Sequence, residues 1–477
     1  MRLLFTLLLM AAAVAAAVLI ANQPGHVAIF WQDRRIDAPV AVLIAAVIAA
    51  ALILAALIWL LRRILGGPGA FLRRRRERRR REGYRALTQG MVAVAAGDAE
   101  EARRQARKAD ALLAEPPLTL LLSAQAAQLN GDEDAAKKYF AAMLERGETE
   151  FLGLRGLLTQ ALKRGDEATA LRLAERAQAL RPRTPWVLTS LFELRTRRGD
   201  WRAAEASLAE AGKAKLLPEA TLRRHRAALL HEESKAAEAA GDSAAALSLA
   251  RKAQDLAPDF APAAARHALL LHRAGRDRQA AKALEAAWRR APHPLLAEAC
   301  RTLAEAEPAL ARFKRIATLA AAAPEHVESR IALAEAALEA QLWGEARRHL
   351  EAAGAGAGPG TEVAPPAARI CRLMARLEEA EHGDGAAARA WLARIGEAPP
   401  DPLYVCAACA AESRQWQPLC PRCRAFDSFE WQSPARALPA LPEPSAGSGA
   451  TGEAKSAEAP HLLTPPERRS RQGGAVA

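Results

Sequence analysis

The stretch that decides the fold is GDEATALRLAERAQALRP, residues 165–182. It begins with a Gly-Asp pair, continues as an alanine-rich segment and ends at a proline. Glycine suits the left-handed conformation that closes a helix, an aspartate after it can cap the next helix, and proline ends that helix. The stretch therefore predicts the turn and the second helix of a helical hairpin.

The same pattern recurs along the chain at a fixed distance. Gly-Asp pairs begin at residues 97, 131, 165 and 199, each 34 residues after the last; after an eight-residue slip the pair returns at 241, and it becomes Gly-Arg at 275. Such a period is typical of a helical-hairpin array. Small residues that let paired helices approach closely recur five and twelve positions after the glycines. They are Ala102, Ala136, Ala170, Ala204, Ala246 and Ala280, followed by Ala109, Met143, Ala177, Ala211, Ala253 and Ala287.

These features resemble the tetratricopeptide repeat (TPR), and the register can be projected onward. It predicts degenerate repeats with turns near Glu307 and Gln341 and a last repeat at Gly383, which gives nine hairpins over residues 82–400. The repeat near Glu307 departs from the pattern because Arg312 and Leu319 stand at the small positions. The fold class is therefore an all-α, TPR-type solenoid, and an α-helical domain of another topology is the alternative. A solenoid of this kind presents an extended surface for peptides or proteins.

Two apolar runs precede the repeats. Residues 3–21 and 39–61 are each long enough to cross a membrane as a helix, so residues 1–61 are predicted to hold two spans and a short external loop. A cleaved signal peptide is the alternative for the first run. Arginines crowd the basic segment 62–81 and are sparse in the loop, which predicts an inner-membrane protein with cytoplasmic repeats. The arginines of this cluster are Arg62, Arg63, Arg73, Arg74, Arg75, Arg76, Arg78, Arg79, Arg80 and Arg81.

The basic charge of the chain is concentrated in this cluster. Eleven arginines and two glutamates lie between residues 62 and 85, whereas the rest of the chain carries only +4 of the net +13. The sequence has no basic face interleaved with aromatic residues, so nucleic acid is not an expected partner. The cluster is interpreted as the determinant of membrane topology, and it could also attract anionic lipid headgroups.

Four of the six cysteines form a separate module, predicted at residues 401–432. Cys406, Cys409, Cys420 and Cys423 make two C-x2-C pairs, which suit a tetrahedral thiolate site for zinc ahead of iron. A module this small needs the metal as a staple. Glycine often follows the second cysteine of such pairs, but Ala410 and Arg424 stand there. Cys420-Pro421 also matches a short haem-regulatory motif, interpreted here as coincidence. Residues 433–477 are predicted to be a disordered tail.

No catalytic constellation is apparent, and the chain is not expected to be an enzyme. His267 and His272 share one predicted helix and are the only speculative haem ligands considered. Five residues at 3.6 per turn place them roughly 140° apart, so ordinary packing or surface roles are favoured.

The two spans, the NQPGHVAIFW segment, the arginine cluster and the TPR array together resemble the HemY family. The resemblance implies an inner-membrane scaffold in a late step of protohaem synthesis, whose partners would be late haem-synthesis enzymes. The TPR-plus-cysteine arrangement is similar to LapB, in which the metal module packs on the repeats. A LapB-like adaptor of lipopolysaccharide assembly is the first alternative, and a direct porphyrin carrier is the second.

Overall fold

The computed structural model describes residues 26–31, 34–113, 115–355 and 366–434, and the chain divides into two compact units at residue 149. The first predicted span, residues 3–21, and most of the predicted tail lie outside the described residues. So does most of the glycine-rich stretch 354–360.

The first described residues of the first unit form a feature that the sequence did not predict. Strands β1 (His26–Trp31) and β2 (Arg34–Pro39) pair antiparallel where a plain loop was expected. Four helices follow: α1 (Val40–Ala96), α2 (Ala99–Leu112), α3 (Pro116–Leu129) and α4 (Glu133–Met143).

Helix α1 joins an apolar segment to the first hairpin without interruption. Its segment Val42–Leu61 has a mean hydropathy of 3.0 and is fully unburied, and it is long enough to cross a membrane. It matches the second of the two predicted spans, so the described part of the chain contains one candidate span and not two. The same helix continues through the arginine run and ends at Gly97, whose φ of 78° is left-handed.

The second unit contains fourteen α-helices in its described residues. They are α5 (Glu150–Lys163), α6 (Glu167–Leu180), α7 (Pro185–Arg197), α8 (Trp201–Lys213), α9 (Glu219–Ala239), α10 (Ser243–Leu256), α11 (Ala261–Arg273), α12 (Asp277–Arg290), α13 (Pro294–Leu303), α14 (Ala309–Ala320), α15 (Val327–Glu339), α16 (Trp343–Leu350), α17 (Ala368–His382) and α18 (Gly385–Ala393). Each odd-numbered helix packs against the next even-numbered one as a hairpin. With α1–α2 and α3–α4, the described residues form nine such pairs.

The structure confirms the turn glycines, the capping aspartates and the small buried residues that the sequence pattern predicted. Every turn glycine of the pattern has a positive φ, and aspartates such as Asp166 and Asp200 accept backbone hydrogen bonds at the start of the second helix. In the turn predicted near Gln341 that residue itself is left-handed, with φ of 58°. The small residues of the register, Ala102 to Ala280 and Ala109 to Ala287, are at most 3% exposed. Tight contact between paired helices therefore repeats along both units.

The eight-residue slip in the sequence is absorbed by one helix. Helices α7 and α11 have 13 residues each, whereas α9 between them has 21. Helix α9 therefore extends about two turns beyond its neighbours at its N-terminal end.

A small sheet follows the last hairpin. Strands β3 (Leu403–Cys406), β4 (Glu412–Ser413) and β5 (Phe429–Gln432) pair antiparallel in the order β4-β3-β5. This sheet and its two cysteine turns are called the ribbon below.

Candidate metal centre and its docking surface on the repeats

The ribbon holds its cysteines in two turns of matching geometry. In the first turn the Cys406 N–H donates to Ala411 O and the Ala410 N–H donates to Cys406 O, both at 2.8 Å. In the second turn Cys420 and Arg424 donate in the same way at 2.9 and 2.8 Å. Ala410 and Arg424 have φ values of 56° and 61°, a conformation that glycine adopts most easily. These are the two positions at which the sequence departs from the glycine that such turns often carry.

The turns bring all four thiols together, as predicted. The Cys406 and Cys423 sulfurs lie 3.7 Å apart, the Cys409 and Cys420 sulfurs 3.6 Å apart, and all four lie within 4.8 Å of one another. Zinc–sulfur bonds of about 2.3 Å in a tetrahedron put the sulfurs about 3.8 Å apart. The donor set therefore fits a tetrahedral metal ion, which would cross-link the two turns and stabilise a segment too small to hold its own core.

Hydrogen bonds favour the thiolate at Cys406, whereas burial opposes it at Cys423. Burial opposes ionisation of Cys406, but the Ser428 hydroxyl at 3.2 Å and the Cys409 and Ala408 amides lower the pKa of its thiol to about 7. Burial raises the pKa of Cys423 to about 12, although the Ala425 amide acts in the opposite direction. Amide donors at both turns make the pocket suited to anionic sulfur.

The ribbon is anchored to the repeats by a buried carboxylate. The Asp427 side chain is 1% exposed and accepts two hydrogen bonds at 3.0 Å from the guanidinium of Arg224, in the N-terminal extension of α9. The Trp416 indole N–H donates to the same carboxylate at 3.3 Å. The Arg224 guanidinium also lies 3.9 Å from the centroid of the Phe260 ring, which precedes α11. Burial opposes the charge of Arg224, but the Asp427 carboxylate raises its pKa.

Aromatic rings fill the space around this ion pair. Trp416 contacts the rings of Phe260 and His231, with centroids 4.8 and 5.5 Å away. Phe426 meets the ring of Phe192, in α7, edge-on at 5.3 Å and the ring of His225 at 5.6 Å. Of these side chains, Phe192, Phe260 and Phe426 belong to one hydrophobic cluster, and Trp416 packs against it.

A second contact lies at the start of α13. His293 Nδ1 accepts a hydrogen bond from the Leu295 N–H at 3.1 Å, so a neutral ring carries its proton on Nε2. That nitrogen lies 3.2 Å from the Tyr404 hydroxyl, and the Trp431 ring centroid is 4.4 Å from the imidazole. Burial lowers the pKa of His293 to about 4 and raises that of Tyr404.

The group of four thiols contains none of the other predicted site residues. Both histidines proposed as haem ligands lie on α11: His267 Nδ1 is 2.5 Å from Gln254 Oε1, and His272 Nδ1 is 2.6 Å from Asp277 Oδ1. Their haem role stays a prediction. The arginines from Arg73 to Arg81 are exposed on α1, where Arg80 pairs with Glu115 at 3.1 Å.

Sequence reasoning missed the residues that receive the ribbon: Arg224, His225, His231, Phe260 and His293. The one available signal was the eight-residue slip in the period. It corresponds to the extension of α9, which carries the Arg224 that binds Asp427 of the ribbon.

Comparisons with known proteins agree with this arrangement. The family described as HemY protein N-terminus matches residues 25–131, and the family described as rubredoxin metal binding domain matches residues 404–430. The probable magnetosome protein Mms48 of Magnetospirillum gryphiswaldense is 32% identical over 465 residues, which cover 97% of this chain and 99% of that protein.

Similar solved structures include a tetratricopeptide repeat protein from Parabacteroides merdae, at 15% identity and a TM-score of 0.26, which covers 52% of this chain and 92% of that chain. Another is the TPR2AB domain of yeast Sti1, at 16% identity and a TM-score of 0.26, which covers 66% of this chain and 97% of that chain. The chain belongs to the HemY family, is related to Mms48 over nearly its whole length, and carries a LapB-type rubredoxin metal-binding domain near its C-terminus.

Proposed function

We propose that the protein is an inner-membrane adaptor that gathers partner proteins on its TPR hairpins and has no chemistry of its own. The observation that carries the proposal is helix α1, in which an apolar segment of spanning length continues directly into the first hairpin. An array tethered in this way confines its partners to the membrane surface, and tethering raises their effective concentration.

The partners we favour are late enzymes of protohaem synthesis, because the family resemblance points to that step. Affinity capture of the full chain from native membranes tests this choice. We expect ferrochelatase and neighbouring enzymes in the eluate. Residues 1–81 alone, which lack the repeats, serve as the control and should not retain them. Recovery of the same enzymes by both chains would show that the repeats do not select the partners.

The rubredoxin-type domain favours a second candidate, a LapB-like adaptor of envelope assembly. In that case the same capture would recover lipopolysaccharide enzymes and a membrane protease. The name of the relative, a probable magnetosome protein, adds a third set of partners for which the eluate should be searched.

We propose further that the arginine cluster holds the repeats on the cytoplasmic side and contacts anionic lipid. Arg62 and Arg63 follow the apolar segment directly, and the run from Arg73 reaches headgroups when α1 tilts toward the bilayer. Full-length protein in vesicles with anionic lipid should be retained more strongly than in zwitterionic vesicles after partial detergent extraction. Replacing Arg73 to Arg76 with glutamine should remove the difference. An unchanged difference would contradict the lipid contact and leave the topology role.

Finally, we propose that Cys406, Cys409, Cys420 and Cys423 bind zinc, with iron as the alternative metal. Elemental analysis of the purified chain should give about one metal ion per chain. Cys406→Ser should lose most of it. Cys300→Ser is the matched control, because Cys300 is a lone buried thiol in α13 and burial raises its pKa to about 11. Equal metal content in the two variants would rule out the site.

A further inference from the structure

Repeat arrays normally lack contacts between distant parts of the chain. Each hairpin touches its neighbours, so stability is transmitted only from one repeat to the next. The segment 397–432 departs from this rule. Pro399 O accepts from the Ala368 N–H at 3.3 Å and Asp401 Oδ1 accepts from the Arg369 N–H at 2.6 Å, both at the start of α17.

From α17 the segment runs back toward earlier hairpins. Tyr404 meets His293 at the start of α13, across 111 residues of sequence. Asp427 meets Arg224 in α9, across 203 residues. Phe426 reaches Phe192 in α7. One short segment therefore contacts the fourth, fifth, sixth, seventh and ninth hairpins.

Part of the receiving surface consists of residues that an ordinary repeat does not have. The extra turns of α9 carry Arg224 and His225, which bind Asp427 and Phe426. Helices α7 and α11 are the first helices of the two neighbouring hairpins, and neither has such an extension. The insertion in the fifth hairpin is thus a platform for the ribbon.

The side chains that dock on this platform lie next to the candidate metal site. Trp416 and Leu419 precede the second cysteine pair, and Phe426 and Asp427 follow it, so the docking side chains flank the turn of Cys420 and Cys423. Asp427 is held with φ of 44°, and its N–H donates to Pro418 O at 2.8 Å. A loop this short keeps such a shape through its cross-link, because it has too little apolar surface to fold alone.

We infer that the ribbon is a metal-dependent clasp, latched by Asp427 on Arg224, that couples the hairpins from α7 to α17 into one cooperative unit. Metal occupancy would thereby set how rigidly the array presents its surface, whichever partners bind there. Without metal, the hairpins would revert to nearest-neighbour coupling and open independently.

Hydrogen exchange on the full-length chain in detergent tests the clasp. Removal of the metal by a chelator should speed amide exchange about tenfold or more at the starts of α9, α11 and α13, as well as in the ribbon. Exchange in α2 to α4, which belong to the other compact unit, should stay the same. Faster exchange confined to residues 403–432 would overturn the inference.

Substitutions at Arg224 and Asp427 test the latch separately from the metal. Arg224→Gln should keep the metal and the helix content yet speed exchange in the ribbon and in the first turns of α9. Arg226→Gln is the matched control, since Arg226 lies in the same extension but pairs with Glu205 at 2.7 Å. If Arg224→Gln fails to fold, Asp427→Asn removes the charge with little change in size. Exchange equal to that of the control variant would refute the latch.

Discussion

At the scale of the residue, the two cysteine turns share the same backbone hydrogen bonds, but each contains one residue in a backbone conformation that its side chain disfavours. Ala410 and Arg424 occupy the left-handed region, which costs an L-residue about 1 kcal/mol or more relative to glycine. Both side chains are exposed, so neither has packing that would offset the cost.

We therefore predict that Ala410→Gly stabilises the ribbon by about 1 kcal/mol, because it removes the steric penalty at φ of 56°. Competition with a metal chelator measures the effect as slower metal release. Ala407→Gly provides the control: Ala407 is also exposed in the same turn but its φ is not positive, and glycine there should weaken the ribbon. Faster release from Ala410→Gly than from the wild-type chain would contradict the prediction.

At the scale of the element, the close contact of paired helices depends on alanines that the 34-residue register identifies. On α8, Ala204 is fully buried whereas Ala206, two positions later, is exposed. A sequence register distinguishes these two alanines even though their chemistry is identical, because only the position of Ala204 is alanine in all six hairpins with turns from Gly97 to Gly275.

Ala204→Leu should destabilise the repeats by about 1–3 kcal/mol, since a well-packed contact cannot accept three more carbon atoms without shifting the helices. Ala206→Leu on the same helix should change the unfolding free energy by less than about 0.5 kcal/mol. Urea unfolding followed by helical circular dichroism compares them. Equal midpoints for the two variants would show that α8 does not pack through Ala204.

The length of α9 shows where prediction from the sequence ended. The eight-residue slip between Gly199 and Gly241 indicated an insertion, but the 34-residue period alone does not say whether the inserted residues form a loop or extend a helix. Nor does it name the partner of the inserted residues, because Asp427 lies 203 positions away from Arg224. The hairpins follow from local signals of capping and close packing, whereas the docking surface arises from non-local contacts that no local pattern encodes.

At the scale of the whole molecule, the contact between ribbon and repeats contains histidines that are buried without charge. Burial lowers the pKa of His231 to about 3, and the charges of Lys235, Arg266 and Arg224 act in the same direction. Burial likewise lowers the pKa of His293. In the unfolded chain both groups would titrate near about 6.5.

The ribbon contact should therefore weaken in acid. Above about pH 6.5 both states of the chain hold these histidines neutral, and the stabilisation is complete. As the pH falls from about 6.5 toward 4, the unfolded chain takes up protons that the folded one resists, so the free energy of unfolding decreases. Tryptophan fluorescence during urea unfolding at several pH values measures the slope.

His231→Leu separates this effect from acid release of the metal, which both chains share. The variant should show a shallower dependence on pH than the wild-type chain, because one of the titrating groups is gone. Identical slopes would show that protonation of His231 does not contribute to the loss of stability.

The uninterrupted course of α1 has a geometric consequence. At about 1.5 Å per residue, Arg73 lies about 18 Å and Ala86 about 37 Å beyond Leu61 along the helix axis. The headgroup layer on one side of a bilayer is only about 5–7 Å deep. With α1 along the bilayer normal, the run from Arg73 would therefore stand clear of the headgroups. The lipid contact proposed above thus requires a tilted α1, and the angle of tilt sets how far the first hairpin stands from the bilayer.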